Sequence, residues 1–575
     1  MRILFFIVVF LLSGLVTAQL ELEKDTLKFE DRTGGSLDSM DISLALPATT
    51  MDGNFFVLNR SYLNISKLSG DVTETRYFIG KYRKNMKFSS LPRIGFHYSF
   101  GSRGTQFFNA NYTQAFNDHF LINMEYSRSS SNGYLRNSDF SKHDLFVAFA
   151  GNWEHYNFQL TGNYFINNTT YSGGLISDTL LDVFDPQFLP VWKSAANGKS
   201  TTGNIEFLHR INLGDSSFRY GLKLDHIFNI SNRKFYESDT IYGLYPSYVD
   251  SFYTYDQFNF PSISNAAGIF ISNDRLYADL DYGVKYWEFQ NSGLYTDTIE
   301  NNMSSEFLLK LNRIKLSNHL VYNISGNYNG IQDDLNVAWK INKKSNFGFS
   351  AEYSSQAPIQ VQRYYRSNNY NYHLQTIDRQ DKLILSGKYT NSSLVDSLLR
   401  GGIEVNYISI KNPYVWNDSV WSNTVYNKLS FTNVHLDLSL KWKALNIQNL
   451  FDYNVVADQF IPEFIYEGRL FIQQPVFKAK KMKLQYGVGF NYYSSFRQRN
   501  FLPVINVFSW DSTSVLLPGI SNLNVYGGFQ IDEFRFYFRV EQLGVLWNDL
   551  KRMDVQNYPL ARTRIRIGIV WDFFN

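Results

Sequence analysis

The sequence contains no cysteine, and this absence narrows the chemistry open to the protein. Without thiols there can be no disulfide bonds, no thiolate metal site and no cysteine nucleophile. A bacterial lipid anchor is excluded as well, because it needs a cysteine at the leader cleavage site. Proline is scarce, with 13 residues in 575, and this scarcity suits long uninterrupted strands.

Sequence motifs of common catalytic, metal-binding and phosphate-binding sites are absent too. The nine histidines are scattered without a His-x-x-x-His pair, and there is neither a nucleophile elbow nor a Gly-rich phosphate loop. A Ser–His pair on neighbouring strands could still form a hydrolase, but the sequence offers too many candidates to choose one. A net charge of +3 is too weak to indicate nucleic-acid binding. The sequence therefore predicts no enzyme, no cofactor, no metal and no nucleic-acid partner.

The first residues have the pattern of a secretory signal peptide. Arg2 precedes the apolar run Ile3 to Leu12, and Val16-Thr17-Ala18 offers a small-residue cleavage site. We predict a signal peptide over residues 1–18. The alternative is a retained helical anchor, but the run is short for a span of about 20 apolar residues. No later segment reaches about 18 apolar residues, so no further transmembrane helix is predicted.

The segment after the leader differs from the rest of the chain. It is rich in acidic residues and poor in aromatic ones, and it is too short to form a folded plug of transporter size. We predict a periplasmic lead-in segment over residues 19–75.

Aromatic residues are abundant, at 17% of the chain. Girdles of Tyr, Trp and Phe are typical of the two interfaces of a membrane barrel. The last residues of the chain alternate in polarity. Apolar side chains are separated mainly by charged or small residues, at Ile565, Ile567, Ile569, Trp571 and Phe573. Successive side chains of a strand point to opposite faces, so this strand has one apolar face. A soluble sandwich would bury that face, whereas a membrane barrel turns it towards lipid.

The alternation repeats from about residue 76 to the end, in segments of roughly ten residues. Clear examples are Arg219–Asp225, Ala278–Tyr286, Leu436–Lys443 and Arg535–Glu541. Strands of soluble proteins are mostly about five or six residues long. We predict an all-β fold, a transmembrane antiparallel β-barrel over residues 76–575 with about 22 strands, between roughly 18 and 24. A secreted sandwich or solenoid is the alternative.

Connections alternate between short and long, as expected for short periplasmic turns and long extracellular loops. Tight turns are predicted at Asn117-Asp118, Asn273-Asp274 and Asp532-Glu533. Long connections are predicted at Tyr171–Ser200, Asn229–Pro261, Ser354–Asp381 and Pro413–Leu429. Six tyrosines between residues 236 and 255 could narrow the channel or stack on sugars, or they could pack the loops on one another.

The polar faces of these strands supply candidate pore-lining residues. They are Arg535, Arg539, Glu541, Arg564, Arg566, Asp279, Asp281, Lys441 and Lys443. The carboxylates at 279 and 281 could hold calcium, but alternating lumen charges more often simply solvate a pore wall. The arginines could favour anions, or Glu541, Asp572 and other acids could compensate them.

Four stretches carry a resemblance to a known family. They are Tyr98–Gln106 with Tyr112–Gln114, Tyr126–Gly133, Asn557–Arg564 and Trp571–Asn575. The second is similar to a Tyr-Arg-x-x-Ser-Ser-x-Gly pattern. The third is similar to Tyr-Pro-x-Pro-Gly-Arg, with Leu560-Ala561 where Pro-Gly is usual. The chain resembles the putative porin family of Bacteroidota outer membranes.

The resemblance implies a single-chain barrel in a bacterial outer membrane and passive diffusion of small polar solutes through a water-filled lumen. Because barrels wider than about 16–18 strands usually hold a plug, inward-folded loops, the lead-in segment or a partner must fill the lumen. The alternative function is a structural or secretion-associated barrel that binds partner proteins and conducts little. We expect lipid contacts along the outer wall, and we expect the barrel-assembly machinery to recognise the terminal aromatic strand, although it ends in Asn575 rather than Phe.

Overall fold

The computed structural model describes residues 92–575 apart from several short segments. These segments are 117–118, 215–217, 239–249, 251–252, 327–329, 375–377, 396–397, 418–419, 423–425, 457–458, 460, 479–480, 506, 510–513 and 575, and the side chains of 417, 420–421, 507–509 and 574 are also not described. The predicted signal peptide, the lead-in segment and the start of the predicted barrel domain at residue 76 lie outside the described residues.

Strands dominate the described chain, because long alternating segments pair with their neighbours. The first fifteen are β1 Arg93–Gly101, β2 Thr105–Ala115, β3 Phe120–Ser131, β4 Phe140–Asn152, β5 Tyr156–Tyr171, β6 Ala196–Asn212, β7 Arg219–Glu237, β8 Thr254–Ser272, β9 Leu276–Asn291, β10 Leu294–Lys310, β11 Ile314–Ser325, β12 Gly330–Lys340, β13 Ser345–Gln356, β14 Tyr364–Arg366 and β15 Asn371–His373. The others are β16 Gln380–Val395, β17 Leu399–Lys411, β18 Val415–Asn417, β19 Val420–Ser422, β20 Lys428–Trp442, β21 Leu445–Val456, β22 Phe464–Val476, β23 Met482–Tyr493, β24 Phe496–Arg497, β25 Asn500–Leu502, β26 Val507–Ser509, β27 Leu516–Leu517, β28 Ile520–Ile531, β29 Phe534–Glu541 and β30 Arg564–Phe574.

Helical structure in the described residues is confined to single turns. The helix α1 spans Gln360–Arg363, and 3-10 turns lie at Ser102–Gly104, Pro186–Phe188 and Leu543–Leu546. None of the helices in this part of the chain has the length and apolar character needed to cross a membrane.

Twenty-two of the strands form one sheet. Each of them pairs antiparallel with its neighbours, and β1 pairs with β30 from Arg93 opposite Phe574 to Gly101 opposite Arg566. That last pairing closes the sheet into a barrel without a free edge. The predicted all-β barrel of about 22 strands is confirmed. The other eight strands, β14, β15, β18, β19 and β24 to β27, form four two-stranded ribbons inside connections.

The two ends of the barrel differ. At one end, the turn end, β28 and β29 are joined by Asp532-Glu533, and the Asn273 side chain accepts hydrogen bonds from the backbone N–H groups of Arg275 and Leu276. At the other, the loop end, the long connections are 132–139, 172–195, 238–253, 357–379, 412–427, 494–519 and 542–563. The predicted turn Asn117-Asp118 lies outside the described residues.

One predicted connection is wrong in its extent. The strands β7 and β8 extend into 229–261 from both ends, pairing from Asn229 opposite Ser262 to Glu237 opposite Thr254. The physical reason is that their inner aromatic side chains pack against folded loops, as described below. Tyr236 and Tyr255 therefore lie opposite each other on exposed strand positions, whereas the tyrosines at 242, 245 and 248 lie outside the described residues.

Alternation separates the two faces of the wall. On β30, Ile565, Trp571 and Phe573 are exposed, whereas Arg564 and Arg566 are only 4% exposed. The apolar face predicted from the sequence is thus the outer face of the barrel.

Candidate functional site: the capped lumen

The inner face of the barrel is identified by what it contacts. On β7, the buried residues Arg233 and Phe235 alternate with the exposed Lys234 and Tyr236. Arg233 donates hydrogen bonds to backbone carbonyls of the connection 494–519. Because that connection belongs to the loop end, the face that contacts it is the inside of the barrel mouth.

Long connections fold into this mouth and build an apolar core there, which we call the cap. Its loop residues are Leu135, Leu175, Leu181, Leu189, Val191, Val361, Tyr365, Tyr370, Tyr372, Tyr414, Trp416, Phe501, Leu502, Val504, Ile505, Val555 and Tyr558. They pack on the inner wall residues Tyr171, Ala196, Phe235, Phe258, Phe260, Trp287, Phe289, Ile465, Tyr493 and Ile520. Inward-folded loops, one of the three fillings considered from the sequence, therefore occupy the mouth.

Contacts between aromatic side chains hold the cap against the inner wall. The Tyr365 ring lies 5.2 Å from the Phe258 ring and stacks on Tyr372 at 5.6 Å. Trp416 meets Tyr372 edge-on at 5.6 Å. Such offset and edge contacts are the favoured arrangements of aromatic pairs, so three separate segments of chain are held in one core.

Buried polar groups anchor the cap to the strands. The Arg233 guanidinium donates to the carbonyl of Pro503 at 2.7 Å and to the carbonyl of Val504. The Lys193 ammonium, from connection 172–195, pairs with the Glu237 carboxylate on β7, and both side chains are at most 2% exposed. Buried charges need such partners, because an isolated charge loses its hydration without compensation.

A second set of anchors holds the segment after α1. The Tyr365 hydroxyl donates to the Asp256 carboxylate at 3.4 Å. The backbone N–H of Arg366 donates to the Asn291 side chain at 2.6 Å, and the Asn368 amide donates to the Thr254 hydroxyl at 2.9 Å. The connection between β13 and β16 thus reaches back across the mouth to β8 and β9.

Burial also shifts the ionisation of groups in the cap. Asp554 is fully enclosed, and burial raises the pKa of its carboxyl even though Arg552 donates to it at 2.8 Å. Burial raises the pKa of the Tyr558 hydroxyl in the same connection. The cause of both shifts is the burial of these side chains, each of which is 3% exposed.

The predicted arginine cluster is assembled around one acid. Glu541 on β29 lies 3.0 Å from Arg564, 3.2 Å from Arg539 and 3.8 Å from Arg566. All four side chains are on the inner face and at most 12% exposed. The arginines are therefore compensated by Glu541 and are largely withdrawn from water.

Arg535 belongs to a neighbouring group at the turn end. Its guanidinium lies 3.6 Å from Asp572 on β30, which is also 3.5 Å from Arg93 on β1. The carboxylate thus connects the strands on both sides of the seam where the barrel closes. This is the second acid that the sequence suggested as compensation.

Asp279 and Asp281 lie on the inner face of β9 and hold a lysine. The Lys223 ammonium, from β7, lies 2.7 Å from Asp279 and 2.6 Å from Asp281. The position considered for calcium is thus occupied by an ammonium group. Across the described part of the chain, no group of three or more His, Cys, Asp or Glu side chains could hold a metal ion.

The two lysines of β20 have different surroundings. Lys441 is exposed near the end of the strand, opposite Asn446. Lys443 follows the strand in the turn to β21, with φ of 53°, and its ammonium lies 5.6 Å from the centre of the Trp442 ring. The sequence placed Lys443 at the end of a strand, but the strand ends one residue earlier because the chain turns there.

Sequence reasoning missed a second stretch of inner wall, which is open to water. His319 and Asp334 face each other on β11 and β12, with side chains 47% and 30% exposed. Lys388 and Glu404 form an ion pair of 2.8 Å on β16 and β17, with Lys388 57% exposed. We call the inner face of β11, β12, β13, β16 and β17 the open wall, apart from the buried Ile408 and Ile410 at the loop end of β17.

The sequence does contain a signal for the cap. Near the loop end, apolar residues replace polar ones on the inner face, as at Phe235, Phe258 and Phe289. In a strand whose outer face is also apolar, such residues indicate that something packs inside the barrel. Which segment packs there depends on loop conformation, which alternation does not encode.

The sequence profile of the putative porin family matches residues 83–575. The chain belongs to the putative porin family. The match covers nearly all of the barrel together with the loops that build the cap, so the cap lies within the family region. No curated relative matches the sequence.

Solved structures add a likeness of fold. The FrpB iron transporter from Neisseria meningitidis (F5-1 variant) has a TM-score of 0.59 and 11% identity over 84% of this chain and 83% of that chain. The copper transporter OprC has a TM-score of 0.60 and 9% identity, over 85% and 82%. The siderophore receptor PirA from Acinetobacter baumannii has a TM-score of 0.57 and 9% identity, over 85% and 81%. At such identities the likeness concerns the barrel alone.

Proposed function

We propose that the protein is a channel of the bacterial outer membrane through which small polar solutes diffuse passively. Membership of the putative porin family supports this role, and the large barrels of similar fold include transporters and receptors that are named for iron, copper and siderophores. The outer apolar face and the closed ladder of strands suit a lipid environment, in which every backbone polar group needs a partner.

The open wall is the observation that carries the proposal. Its polar side chains, including Lys388 and His319, remain exposed inside a closed barrel, as expected for a water-filled passage. The described residues of β11, β12 and β13 contribute nothing to the apolar core of the cap. Solutes would therefore pass between the cap and this wall.

The charges of the open wall favour small polar solutes of either sign. Lys388 pairs with Glu404, and Lys382 lies 3.5 Å from Glu352. Because both signs lie side by side, the wall offers no extended field of one sign to exclude cations or anions. Selection would then depend mainly on size, set by the gap beside the cap.

The test is single-channel conductance of the full-length protein in planar bilayers, compared with a variant whose cap is loosened. Arg233→Ala removes the hydrogen bonds to Pro503 and Val504, so we expect larger or more frequent conductance steps. Lys234→Ala is the matched control, because this neighbouring side chain points outward. Liposome swelling with sugars, amino acids and anions would then rank solutes by size.

Two results would contradict the proposal. One is a barrel that stays closed in both the native protein and the Arg233→Ala variant. The other is a swelling assay in which no solute of the panel enters the liposomes although the protein is inserted. We expect neither, because Lys388 and His319 on the open wall are exposed inside the closed barrel.

A second candidate function is a barrel that binds partner proteins and conducts little. The cap covers the mouth, and connection 172–195 exposes apolar side chains above it, with Val183 73% and Phe188 72% exposed. Exposed apolar groups of this kind often mark protein contacts. A partner recovered in equal amount from native membranes, together with absent conductance, would favour this function over the first.

For its assembly, we propose that the outer-membrane insertion machinery recognises β30. This strand carries the terminal aromatics, and its pairing with β1 closes the barrel.

A further inference from the structure

The turn end of the lumen carries charge of one sign over nearly half of the barrel. On the barrel strands β10–β13, β16, β17 and β20–β23, the four positions nearest the turn end contain no Asp or Glu. All six bases at these positions, which we call the basic rim, are Lys310, Lys315, Lys340, Arg400, Lys441 and Lys483. These strands include those of the open wall, so the basic rim lies where the proposed passage leaves the barrel at the turn end.

Alternation places every side chain of the basic rim on the inner face. Lys315 lies four residues before the inner His319 on β11, and Lys310 on β10 lies directly opposite Lys315. Arg400 lies four residues before Glu404 of the open wall on β17. An even spacing also relates the other three bases to inner residues of their own strands, which are Asp334, His435 and Tyr493.

The bases of β10, β11 and β12 are close neighbours. Lys310 and Lys315 lie opposite each other across the two strands. Lys340 is the diagonal neighbour of Lys315, because Ala338, two residues before it, lies opposite Lys315. Like charges at such cross-strand positions repel one another. An anion that enters between these ammonium groups would reduce the repulsion.

A second group of neighbours lies on β17 and β20. Arg400 and Lys441 are diagonal neighbours, since Ser439 lies opposite Arg400. Arg400 is exposed, as are Lys315 and Lys340. Within the described part of the chain, no ion pair involves any of these three exposed bases. Their charge is therefore available to ions in the lumen.

The turns that join these strands add to the positive charge. Arg313 lies between β10 and β11, and Lys343 and Lys344 lie between β12 and β13, all three exposed. The described residues of the turns from β10 to β23 at this end contain no acid. The sequence adds Asp396 and Lys480, of opposite sign, which lie outside the described residues. The positive charge thus belongs to this whole section of the mouth.

Acids accompany the bases only elsewhere. The nearest inner acids are Glu306 on β10 and Asp437 on β20, at the fifth and sixth positions from the turn end. Further into the lumen, Lys388 pairs with Glu404 on the open wall. At the seam of the barrel, Asp572 compensates its neighbouring arginines. The basic rim is therefore a separate zone, beyond the mixed charges of the open wall.

Lipid head groups do not explain the basic rim. Bases that reach head groups extend from outward positions along the apolar surface. Here the outward positions of the same strand ends carry apolar side chains, as at Trp339 and Trp442, which are 45% and 56% exposed. The rim bases point to the opposite side, into the lumen.

We propose that the basic rim collects small anions at the turn-end mouth and thereby gives the passage a preference for anionic solutes. Clusters of Lys and Arg favour anions in pores. Five of the six bases are lysines, whose ammonium groups act as point charges without the fixed fork of arginine. The rim therefore attracts chloride, carboxylates and phosphates as a class, while the gap beside the cap still selects by size.

The preference in transport rests on the channel function proposed above, whereas the collection of anions by the rim does not. The first test therefore needs no conductance. The chain has no native cysteine, and Asn346 is exposed on β13 directly opposite Lys340. The full-length Asn346→Cys variant, folded in uncharged detergent, is treated with an anionic sulfonate thiol reagent and with a cationic trimethylammonium one.

We expect the anionic reagent to gain about sevenfold over the cationic one, relative to the same variant unfolded in urea, because a potential of about one kT acts on both reagents. The ratio of the two rates cancels the reactivity of the thiol itself. Addition of Lys315→Glu and Arg400→Glu should abolish this gain. Lys411→Glu with Lys428→Glu, at exposed outward positions near the loop end, makes the same change in net charge and should preserve it.

The second test measures reversal potentials of the full-length protein in planar bilayers under a gradient of potassium chloride. Chloride should be several-fold more permeant than potassium, and Lys315→Glu with Arg400→Glu should remove this preference. It should also weaken between about 0.1 M and 1 M salt, because the screening length falls from about 10 Å to about 3 Å.

The two tests separate the rim from the channel. Equal gains of the anionic reagent with and without Lys315→Glu and Arg400→Glu, or a conducting barrel that prefers potassium, would overturn the inference. A labelling gain that depends on the rim in a barrel that never conducts would support anion collection by the rim and contradict the proposed channel function instead.

Discussion

At the scale of single residues, the inner wall contains acidic side chains that each form ion pairs with several basic ones. Glu541 lies within 4 Å of three guanidinium groups, and its side chain is 2% exposed. A buried pair of this kind adds little over an apolar replacement, but loss of one member leaves charges without compensation. The cluster therefore constrains which substitutions β29 and β30 can accept.

Replacement of Glu541 by Ala should destabilise the barrel by about 3–5 kcal/mol, because three arginines would repel one another in a dry wall. Urea unfolding in detergent, followed by loss of the heat-modifiable band, measures this change. Glu533→Ala in the turn between β28 and β29 is the control and should change little. A Glu541→Ala variant as stable as the native protein would show that the ion pairs are not needed.

The buried hydroxyl of Tyr134 should make folding stability depend on pH in the alkaline range. It lies in connection 132–139, and burial, followed by the Asp185 carboxylate, raises the pKa of its hydroxyl to about 12, against the opposing effect of Arg103 and Arg562. In the unfolded chain the phenol ionises near pH 10. The folded state therefore keeps a proton that the unfolded state loses, and stability falls as pH rises from about 10 to about 12.

The expected loss of folding free energy at the upper end of this pH range is roughly 2–3 kcal/mol. The measurement is protease cleavage of the loops between pH 9 and pH 12, for the native protein and Tyr134→Phe. The variant should lose its protection less steeply over this range, because it has no phenol to ionise. Identical pH profiles would contradict the assignment.

At the scale of elements, β30 is the strand that closes the barrel. Its last residues pair with the first residues of β1, with Asp572 opposite Gly95 and Phe573 opposite Ile94. The Asp572 carboxylate also lies near Arg93 and Arg535. Both backbone pairing and ion pairs at the seam therefore depend on the final residues.

Deletion of residues 572–575 should abolish membrane assembly, because it removes three of the nine closing pairs between β30 and β1 together with the last aromatic residues, and it exposes the first residues of β1 as a free edge. Asp572→Asn keeps the ladder but weakens the ion pairs, so it should assemble with reduced stability. Fractionation of outer membranes, together with heat-modifiable migration, distinguishes failed assembly of the truncated chain from reduced stability of the Asp572→Asn variant. Normal insertion of the truncated chain would contradict this role of β30.

At the scale of the whole molecule, the barrel and the cap are two parts with different local stability. The barrel is held by continuous ladders between 22 strands, whereas the cap depends on a core of loop residues and on a few buried anchors such as Lys193 with Glu237. Regions with fewer ladder hydrogen bonds open locally at lower free energy. The cap should therefore loosen before the barrel does.

Lys193→Ala should loosen the cap by about 3–5 kcal/mol, because it leaves the Glu237 carboxylate buried without its lysine. Limited proteolysis of the loops should become faster, while the barrel stays folded in the heat-modification assay. Lys199→Ala, an exposed position on β6, serves as the control. If the loops lost their protease resistance and the barrel lost its heat-modifiable migration together, cap and barrel would unfold as one unit.

The sequence by itself determined the barrel. Alternation with a period of two, strands longer than soluble proteins use, and aromatic residues on the outward positions of β30 are local properties, and they led to about 22 strands and to the correct face for Ile565 and Arg564. It also supplied both acids that compensate the arginines, since Glu541 and Asp572 lie on β29 and β30, the two strands that carry Arg535, Arg539, Arg564 and Arg566.

Only the tertiary structure decided what fills the mouth and which part of the inner wall stays exposed. Phe501 and Tyr365 meet the inner aromatics of β5 and β8 across long stretches of sequence, and no periodic pattern encodes such contacts. Likewise, Lys223 reaches Asp279 and Asp281 from two strands away. Alternation assigns a side chain to a face, but loop folding and curvature of the closed sheet determine which residues then meet.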